Sequence, residues 1–365
     1  MVFNHLIGVR FPVGPPKCKL NISNLKTLII RTDKLGDFYH TLPYINTIKR
    51  KFGRENLDLL VSEEIYSHFV KKKYLYNKIY SFPKKNLLKK IFTVLKLRKQ
   101  FYENILVADS KDRSLIFSIF LKCAKKIILY EEKKMNFFFK LFFLKKNNIV
   151  KKNNKILDIN LYNNMLNKIN INNEILDFNF IEYKKLSNIN LPNNLSENIK
   201  KYTLLHLDEK WFSKYYIKEF FEINPSVEQF KFFMKNFFDT HKHNLIITTG
   251  LIRLPFITLL CEKIFNPINS NFYEFNQNGY KALLITNTTF EDLEILTMNS
   301  KNLITCHTSL SFIASAFNIN LIDIIDKNKD DEYNYLRHTS HIKNYKRLYR
   351  KKFDILSKEI ILKIE

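Results

Sequence analysis

Short apolar runs alternate with longer helical ones along most of this chain. The first run, Thr27–Arg31 (TLIIR), reads as a buried strand. It leads into a tight loop whose one glycine, Gly36, is followed at once by Asp37, with a helix predicted from near Phe38 to residue 52. LDLLVS (57–62), NKIYSF (77–82), NILVAD (104–109) and KIILY (126–130) read as four further strands, with helices over Leu87–Gln100 and Ser114–Ala124. These runs are short, β-branched and bounded by Asn, Asp or Gly, which favours strands over buried helix segments. Strand and helix in alternation, with short connections, predict a parallel sheet wound on both faces. A strand that delivers a carboxylate to a helix start is the open crevice where such sheets bind ligands.

Residues 1–24 hold Pro12, Pro15 and Pro16 and no periodicity, so they are expected to form an irregular arm before a first domain over 25–165. Between Lys145 and Lys200 the sequence turns Asn- and Lys-rich, with a helix predicted near Leu161–Ile169 and a linker over 166–200. A second alternating series follows. Strands are predicted at YTLLHL (202–207), NLIITTG (244–250), ALLIT (282–286), NLITC (302–306) and INLIDII (319–325). Between them fall helices Val227–Thr240, Pro255–Ile264, Phe290–Met298 and Ser309–Phe317. Two α/β domains in tandem, 25–165 and 201–330, leave a cleft between their strand ends. The segment 331–365 is expected to be basic and helical, with His341–Glu365 a long helix able to cross back to the first domain.

A chain of 365 residues with 45% hydrophobic and 15% aromatic content can bury a large core. The net charge of +25 suggests nucleic acid, but only ten of the 60 basic residues are arginine, and lysine arrives with abundant Asn and Ile, the trio that A/T-rich coding sequence writes by default. No nucleic-acid-binding motif accompanies the charge, and a solvated lysine-rich surface accounts for it. Cys18, Cys123, Cys261 and Cys306 show no paired spacing, which suggests a reducing compartment and gives no metal-site signal. The opening residues lack the features of a secretory signal, and no window approaches the roughly 18 apolar residues of a membrane span. A cytoplasmic protein is expected, and the inner face of the cytoplasmic membrane stays open to it as a site.

The stretch RTDKLGDFYHTLPYINTIKRKF resembles the opening of the glycosyltransferase family 9 enzymes, whose best-known members are lipopolysaccharide heptosyltransferases. Those enzymes start with an apolar strand, a small-residue loop ending Gly-Asp, and a helix carrying Thr-x-Pro or Thr-Leu-Pro. Gly36-Asp37 and Thr41-Leu42-Pro43 match. Arg113-Ser114, in NILVADSKDRSLIFSIFLKCAKKII, stands at the place of the family's Arg-Ser. Lys210 and Trp211, in LLHLDEKWFSKYY, stand where the family has a basic residue near a tryptophan. ITCHTSLSFIASAF (304–317) is similar to the late signature Asp-Thr-Gly-x-x-His-x-Ala-x-Ala, keeping Thr308, Ala314 and Ala316 but replacing its Asp by His307, its Gly by Ser309 and its His by Phe312. After NLIITTG the family's acidic residues for the donor ribose give way to Arg253 and a late Glu262. The resemblance covers most of residues 25–325.

It implies a GT-B architecture, two Rossmann-like domains with parallel sheets facing across a cleft, and an inverting glycosyltransferase that uses a nucleotide-diphosphate sugar without a metal or other cofactor. Such transfer needs a base for the acceptor hydroxyl and positive groups for the departing diphosphate. Asp37 is the candidate base, although a carboxylate before a helix also serves as an N-cap. Lys210 and the start of helix 309–317, with Thr308 and Ser309, are the candidate diphosphate site, and capping by those hydroxyls is compatible with that role. His307 either contacts the donor or is a satisfied loop histidine. Trp211 either stacks on a base or fills the core. Gly36, Thr41 and Arg113 belong to the acceptor loop, and Arg31 with Asp33 is explained equally by a surface ion pair. KDDE (329–332) reads as solvated.

MNFFFKLFFLKK (135–146) and KNLLKKIFTVLKLRK (85–99) combine aromatic or apolar residues with lysine. They suit an anionic membrane, or else cover a sheet with their phenylalanines inward. The acceptor suggested by the resemblance is a lipid-anchored glycan such as a lipopolysaccharide core. Two rival readings stand beside the transferase. One is a non-catalytic relative that binds a nucleotide sugar or glycan, motivated by the altered late signature. The other is a nucleic-acid-binding protein, motivated by charge alone.

Overall fold

The computed structural model describes residues 26–131, 148–152, 156, 158–172, 176, 202–215, 218, 220–250, 252–317, 319–327, 339, 341–342 and 344–364. The arm 1–24, the aromatic stretch 135–146, most of the linker and KDDE lie outside these residues. In the N-terminal half, β1 (Thr27–Arg31), β2 (Leu57–Ser62), β3 (Lys78–Phe82), β4 (Tyr102–Val107), β5 (Cys123–Glu131) and β6 (Ile149–Lys152) form one sheet in the order β3-β2-β1-β4-β5-β6. Every pair in it is parallel. Its helices are α1 (Leu35–Phe52), α2 (Glu63–Phe69), α3 (Leu87–Arg98), α4 (Asp112–Ile119) and α5 (Asp158–Lys168).

All five residues of β1 are buried, as expected of a central strand covered on both faces. Alternation along it decides what each residue meets. Ile29 joins the cluster beneath α1, α2 and α5, while Leu28 and Ile30 join the one beneath α3 and α4. The expected strands are present with ends shifted by up to three residues. The short α2 and the edge strand β6 have weaker periodic signals and emerge only in the structure.

The C-terminal half forms a second sheet from β7 (Tyr202–Leu207), β8 (Asn244–Thr249), β9 (Asn266–Pro267), β10 (Phe272–Gln277), β11 (Tyr280–Ile285), β12 (Asn302–Thr305), β13 (Asn320–Ile325) and β14 (Tyr345–Tyr349). Their order is β14-β13-β12-β7-β8-β11-β10-β9. This sheet is not purely parallel, because β10 runs antiparallel to β11 and β9. The hairpin closes through Asn278-Gly279, with φ of 52° and 80°, the pair of left-handed residues that a two-residue turn requires.

The helices of this half are α6 (Val227–His241), α7 (Pro255–Lys263), α8 (Phe290–Asn299), α9 (Leu310–Ala316) and α10 (Phe353–Lys363). The α6 helix starts with a reciprocal cap, Ser226 with Gln229, and buries Phe230, Phe233, Met234, Phe237 and Phe238. The expected long helix over 341–365 is instead strand β14 followed by α10. Its helix packs on the second domain, Phe353 meeting Phe230 and Phe233 with ring centroids 5.9 and 5.8 Å apart, while His341 ahead of the strand stacks 5.8 Å from His40 of α1 in the first domain. The apolar repeat of the segment is short enough for one strand and one helix, and the edge of β13 offers the strand a partner.

The two domains share a packed interface. One apolar cluster runs from Ile29 and Leu59 through Phe38 and Leu42 of α1 to Leu296 of α8 and Ile313 of α9. Buried inside this interface, Glu294 of α8 accepts from the Tyr39 hydroxyl of α1 and pairs with Lys72 from the α2–β3 connection. Phe290 packs its ring 5.3 Å from Tyr39 and 4.5 Å from His68.

Candidate active site

The parallel part of each sheet reverses its strand order at one point, β1 between β2 and β4 in the first, β7 between β8 and β12 in the second. The loops leaving the carboxyl ends of strands at such a point form a crevice. Here the two crevices face each other. The loops after β1, β7, β8 and β12 line an interdomain cavity of about 720 Å³ that contains Gly36, Asp37, Lys210, His307, Thr308 and Ser309. A Cβ placed on Gly36 would stand 3.5 Å from that of Ser309, so the starts of α1 and α9 nearly touch.

A second, smaller cavity of about 180 Å³ opens at the β1/β4 crevice, lined by Arg31, Asp33, His40, Asp109, Lys111 and Tyr162 among others. Asp37 lines this cavity as well as the interdomain one. It sits in the first turn of α1, which begins at Leu35 rather than near Phe38. The N-cap is Lys34, with no side-chain cap bond. The carboxylate is therefore not the N-cap; it is exposed at the junction of the two cavities.

The loop carrying Asp37 is held from below. Asp109, at the end of β4, accepts the Thr32 backbone N–H at 2.6 Å and the Ser114 hydroxyl at 2.9 Å. Arg113 donates through Nε to Thr32 Oγ1 at 2.9 Å and through Nη2 to the Thr32 carbonyl. It thus holds the β1–α1 loop through Thr32. Thr41 is buried and its hydroxyl donates to the Asp37 carbonyl at 2.9 Å, fastening the first turn of α1. Arg31 and Asp33 are no surface pair. Arg31 is buried, with Nε donating to Asp33 at 2.9 Å and the guanidinium reaching the Ala108 carbonyl and Tyr162. Burial pushes Asp33 up to about 6 against the pull of Arg31, and burial opposes the charge of Arg31 while Tyr162 and three carboxylates sustain it.

On the opposite wall, Lys210 belongs to a 3-10 turn, Glu209–Trp211, and its Nζ donates to the His307 carbonyl at 2.5 Å. His307 takes a left-handed backbone, φ 48°, which Asp323 of β13 sustains. The Asp323 carboxylate accepts the His307 N–H at 2.8 Å, meets Nδ1 at 2.6 Å and accepts the Tyr345 hydroxyl at 3.2 Å. His307 is thus a satisfied loop histidine whose ring Asp323 orients and which is a quarter exposed, lining the cavity. Thr308 lies 3.1 Å from Thr305 Oγ1 and accepts the Leu310 N–H at 3.2 Å. The N–H groups of Ser311 and Phe312 are bonded within the turn. The Ser309 side chain caps nothing. The positive end of α9 is therefore less available to an anion than the sequence suggests, and Lys210 and Ser309 line the cavity beside it.

Trp211 does not face a nucleotide. It is fully buried, donates Nε1 to the His206 carbonyl at 2.8 Å and packs 6.5 Å from Phe353. Its position beside Lys210 on a 3-10 turn sends the two side chains in different directions, one to the cleft and one to the core. Asp323, His206 and Asp208 join the site without belonging to any motif. Their signal was a polar residue inside or at the end of a buried strand. Burial lowers His206 to about 3, with Lys210 adding, and pushes Asp208 up to about 7 against Lys210. Gly250, at the end of β8, allows close approach: a Cβ there would meet Glu209 at 2.8 Å and the Asp208 backbone at 3.2 Å. A third cavity of about 560 Å³, lined by Arg253, Glu262 and Tyr273, continues from the cleft at Thr249, Gly250 and Thr288.

No family model and no curated protein matches the sequence. The likeness lies in the structure. A glycosyl transferase family 9 protein from Veillonella parvula aligns over 93% of this chain and 96% of its own, with a TM-score of 0.65 at 11% identity. The fold is that of the family 9 glycosyltransferases. E. coli ADP-heptose lipopolysaccharide heptosyltransferase II aligns over 93% of this chain and 97% of its own, with a TM-score of 0.62 at 11% identity. E. coli heptosyltransferase WaaC with ADP covers 93% and 99%, with a TM-score of 0.58 at 12% identity. The expected GT-B architecture is thus present, at 11–12% identity to these neighbours. Among the described residues no helix is long and apolar enough to cross a membrane.

Proposed function

We propose that the chain is an inverting glycosyltransferase that moves a sugar from a nucleotide diphosphate to a glycan at the inner face of the cytoplasmic membrane, with a lipid-anchored glycan such as a lipopolysaccharide core as acceptor. One observation carries the reading: Asp37 is the described side chain common to the cavity of the first domain and the interdomain cavity. A base for this reaction has to touch the acceptor hydroxyl and stand opposite the leaving group, which is that position. The acceptor occupies the β1/β4 cavity and the donor the cleft, with its nucleoside in the continuation past Thr249. Asp37 takes the hydroxyl proton. The acceptor oxygen attacks the anomeric carbon from the face away from the diphosphate, and the electron pair of the breaking C–O bond leaves with the diphosphate. Lys210 and Ser309 face that developing charge, and the His307 imidazole, oriented by Asp323, stands beside them. A fixed cation in this place fills the role a metal would, so transfer is expected to survive a chelator.

The test is Asp37→Asn, assayed with a panel of nucleotide sugars and cell-envelope lipids. Turnover is expected to fall by about 10²–10⁴-fold while nucleotide affinity holds. Near-normal turnover removes Asp37 as the base. Binding without turnover in the unaltered protein selects the non-catalytic sugar-binding reading, and steeply salt-dependent affinity for random duplex selects the nucleic-acid one.

A further inference from the structure

Helix α3 is turned inside out for a helix that covers a sheet. Of its apolar residues only Leu97 is buried, whereas Leu87, Leu88, Ile91, Phe92 and Leu95 are 45–68% exposed. At about 100° per residue, Leu88, Ile91, Phe92 and Leu95 form one stripe on the side away from Leu97. The inward side is partly filled by a cation instead, Lys90, whose Nζ lies 5.5 Å from the Phe82 ring centroid. The stretch Lys84–Lys99 contains seven basic residues and no acidic one. The alternative in which the phenylalanine of this helix points into the sheet is thereby corrected: Phe92 is 68% exposed.

A contiguous apolar stripe on a monomer marks an interaction surface, and the charges around this one select its occupant. A second copy would bring seven further cations against the first seven. A nucleic acid would answer the lysines and leave the leucines in water. An anionic bilayer answers both, with headgroup phosphates for the lysines and the acyl boundary for the apolar stripe.

We propose that α3 is the membrane-docking element of this protein, lying in the plane of an anionic bilayer with Leu88, Ile91, Phe92 and Leu95 inserted. The helix follows β3, so its first turn stands at the carboxyl edge of the sheet, the edge that also carries Gly36 and Asp37. Docking there holds the acceptor crevice beside the lipid surface. The purpose given to the contact rests on the transferase reading, but the contact itself is measured without donor or acceptor, so either can fail alone.

The experiment is flotation of the full chain with phosphatidylcholine vesicles, with and without phosphatidylglycerol. Binding is expected only to the anionic vesicles, weakening as salt rises. The pair Leu88→Asp with Phe92→Asp is expected to lower it by about tenfold or more, and Lys89→Glu to lower it without touching the apolar stripe. Thermal midpoints should be unchanged, because these side chains are exposed. Absence from anionic vesicles overturns the proposal. So does a dimer in sedimentation that Phe92→Asp dissolves, which would assign the stripe to a second copy. A fall in thermal midpoint for Phe92→Asp also overturns it, because the stripe would then be covered by the chain itself.

Discussion

The Nδ1 of His307 stands 2.6 Å from Oδ2 of Asp323, and the other carboxylate oxygen accepts the His307 N–H at 2.8 Å. One buried side chain thus holds both the ring and the left-handed backbone of a residue in the interdomain cavity, the proposed donor site. Asp323→Asn replaces an acceptor by a donor in this pair. A hydrogen bond to a charged group is worth about 1.5–3 kcal/mol, so nucleotide affinity is expected to fall by about tenfold or more, read by calorimetry. Unchanged affinity would detach His307 from the donor.

Trp211 separates two roles cleanly. As a core residue, fully buried against Phe353, its change to Ala is expected to cost about 3–5 kcal/mol in urea unfolding. Phe at the same place should cost less and leave nucleotide affinity unaltered. An affinity loss with intact stability would return the indole to the nucleotide site.

Glu294 ties the domains together through Tyr39 and Lys72 inside the interface. Removing one partner strands the other charge, so Lys72→Met alone is expected to cost about 3–5 kcal/mol. Adding Glu294→Gln should recover part of that loss. The double-mutant cycle in urea reads the coupling, and additivity of the two changes would mean that the pair does not act as a unit.

The two buried groups at the end of β7 give opposite pH dependences. His206 is lowered from 6.5 to about 3, so the unfolded chain binds the extra proton between those values and its stabilising contribution is lost as pH falls from 6.5 towards 3. Asp208 is raised from 3.8 to about 7, so the folded chain binds the extra proton and its contribution is lost as pH rises from 3.8 to 7. His206→Gln is expected to flatten the loss of stability on the acid side and Asp208→Asn the loss of stability as pH rises towards neutrality, measured as urea midpoints across that range. Identical profiles for all three proteins would place both groups in water.

Much of the fold is legible because its strands are short, buried on both faces and separated by helical periods. Thr27–Arg31, 57–62 and 202–207 keep their predicted ends. The Asn278-Gly279 turn was equally legible in principle, since two left-handed residues between apolar runs have few other uses. The segment 341–365 reads as one helix because its strand is paired along one edge alone and half-exposed, a pattern that period alone does not separate from a helix.

Of the site, the sequence by itself determined which groups arrive at strand ends: Asp37 after β1, Lys210 after β7, His307 after β12. Local chain order decides that, because a strand and the loop after it are contiguous. What only the tertiary structure decided is which way those groups face and with whom. Trp211 and Lys210 are neighbours in sequence yet one enters the core and the other the cleft. Asp323 finds His307 from the adjacent strand, Glu294 finds Lys72 from the other domain, and α3 turns Leu88, Ile91, Phe92 and Leu95 outward. Such pairings depend on the packing of elements far apart in the chain, where burial and unpaired polar groups decide the outcome and periodicity carries no information.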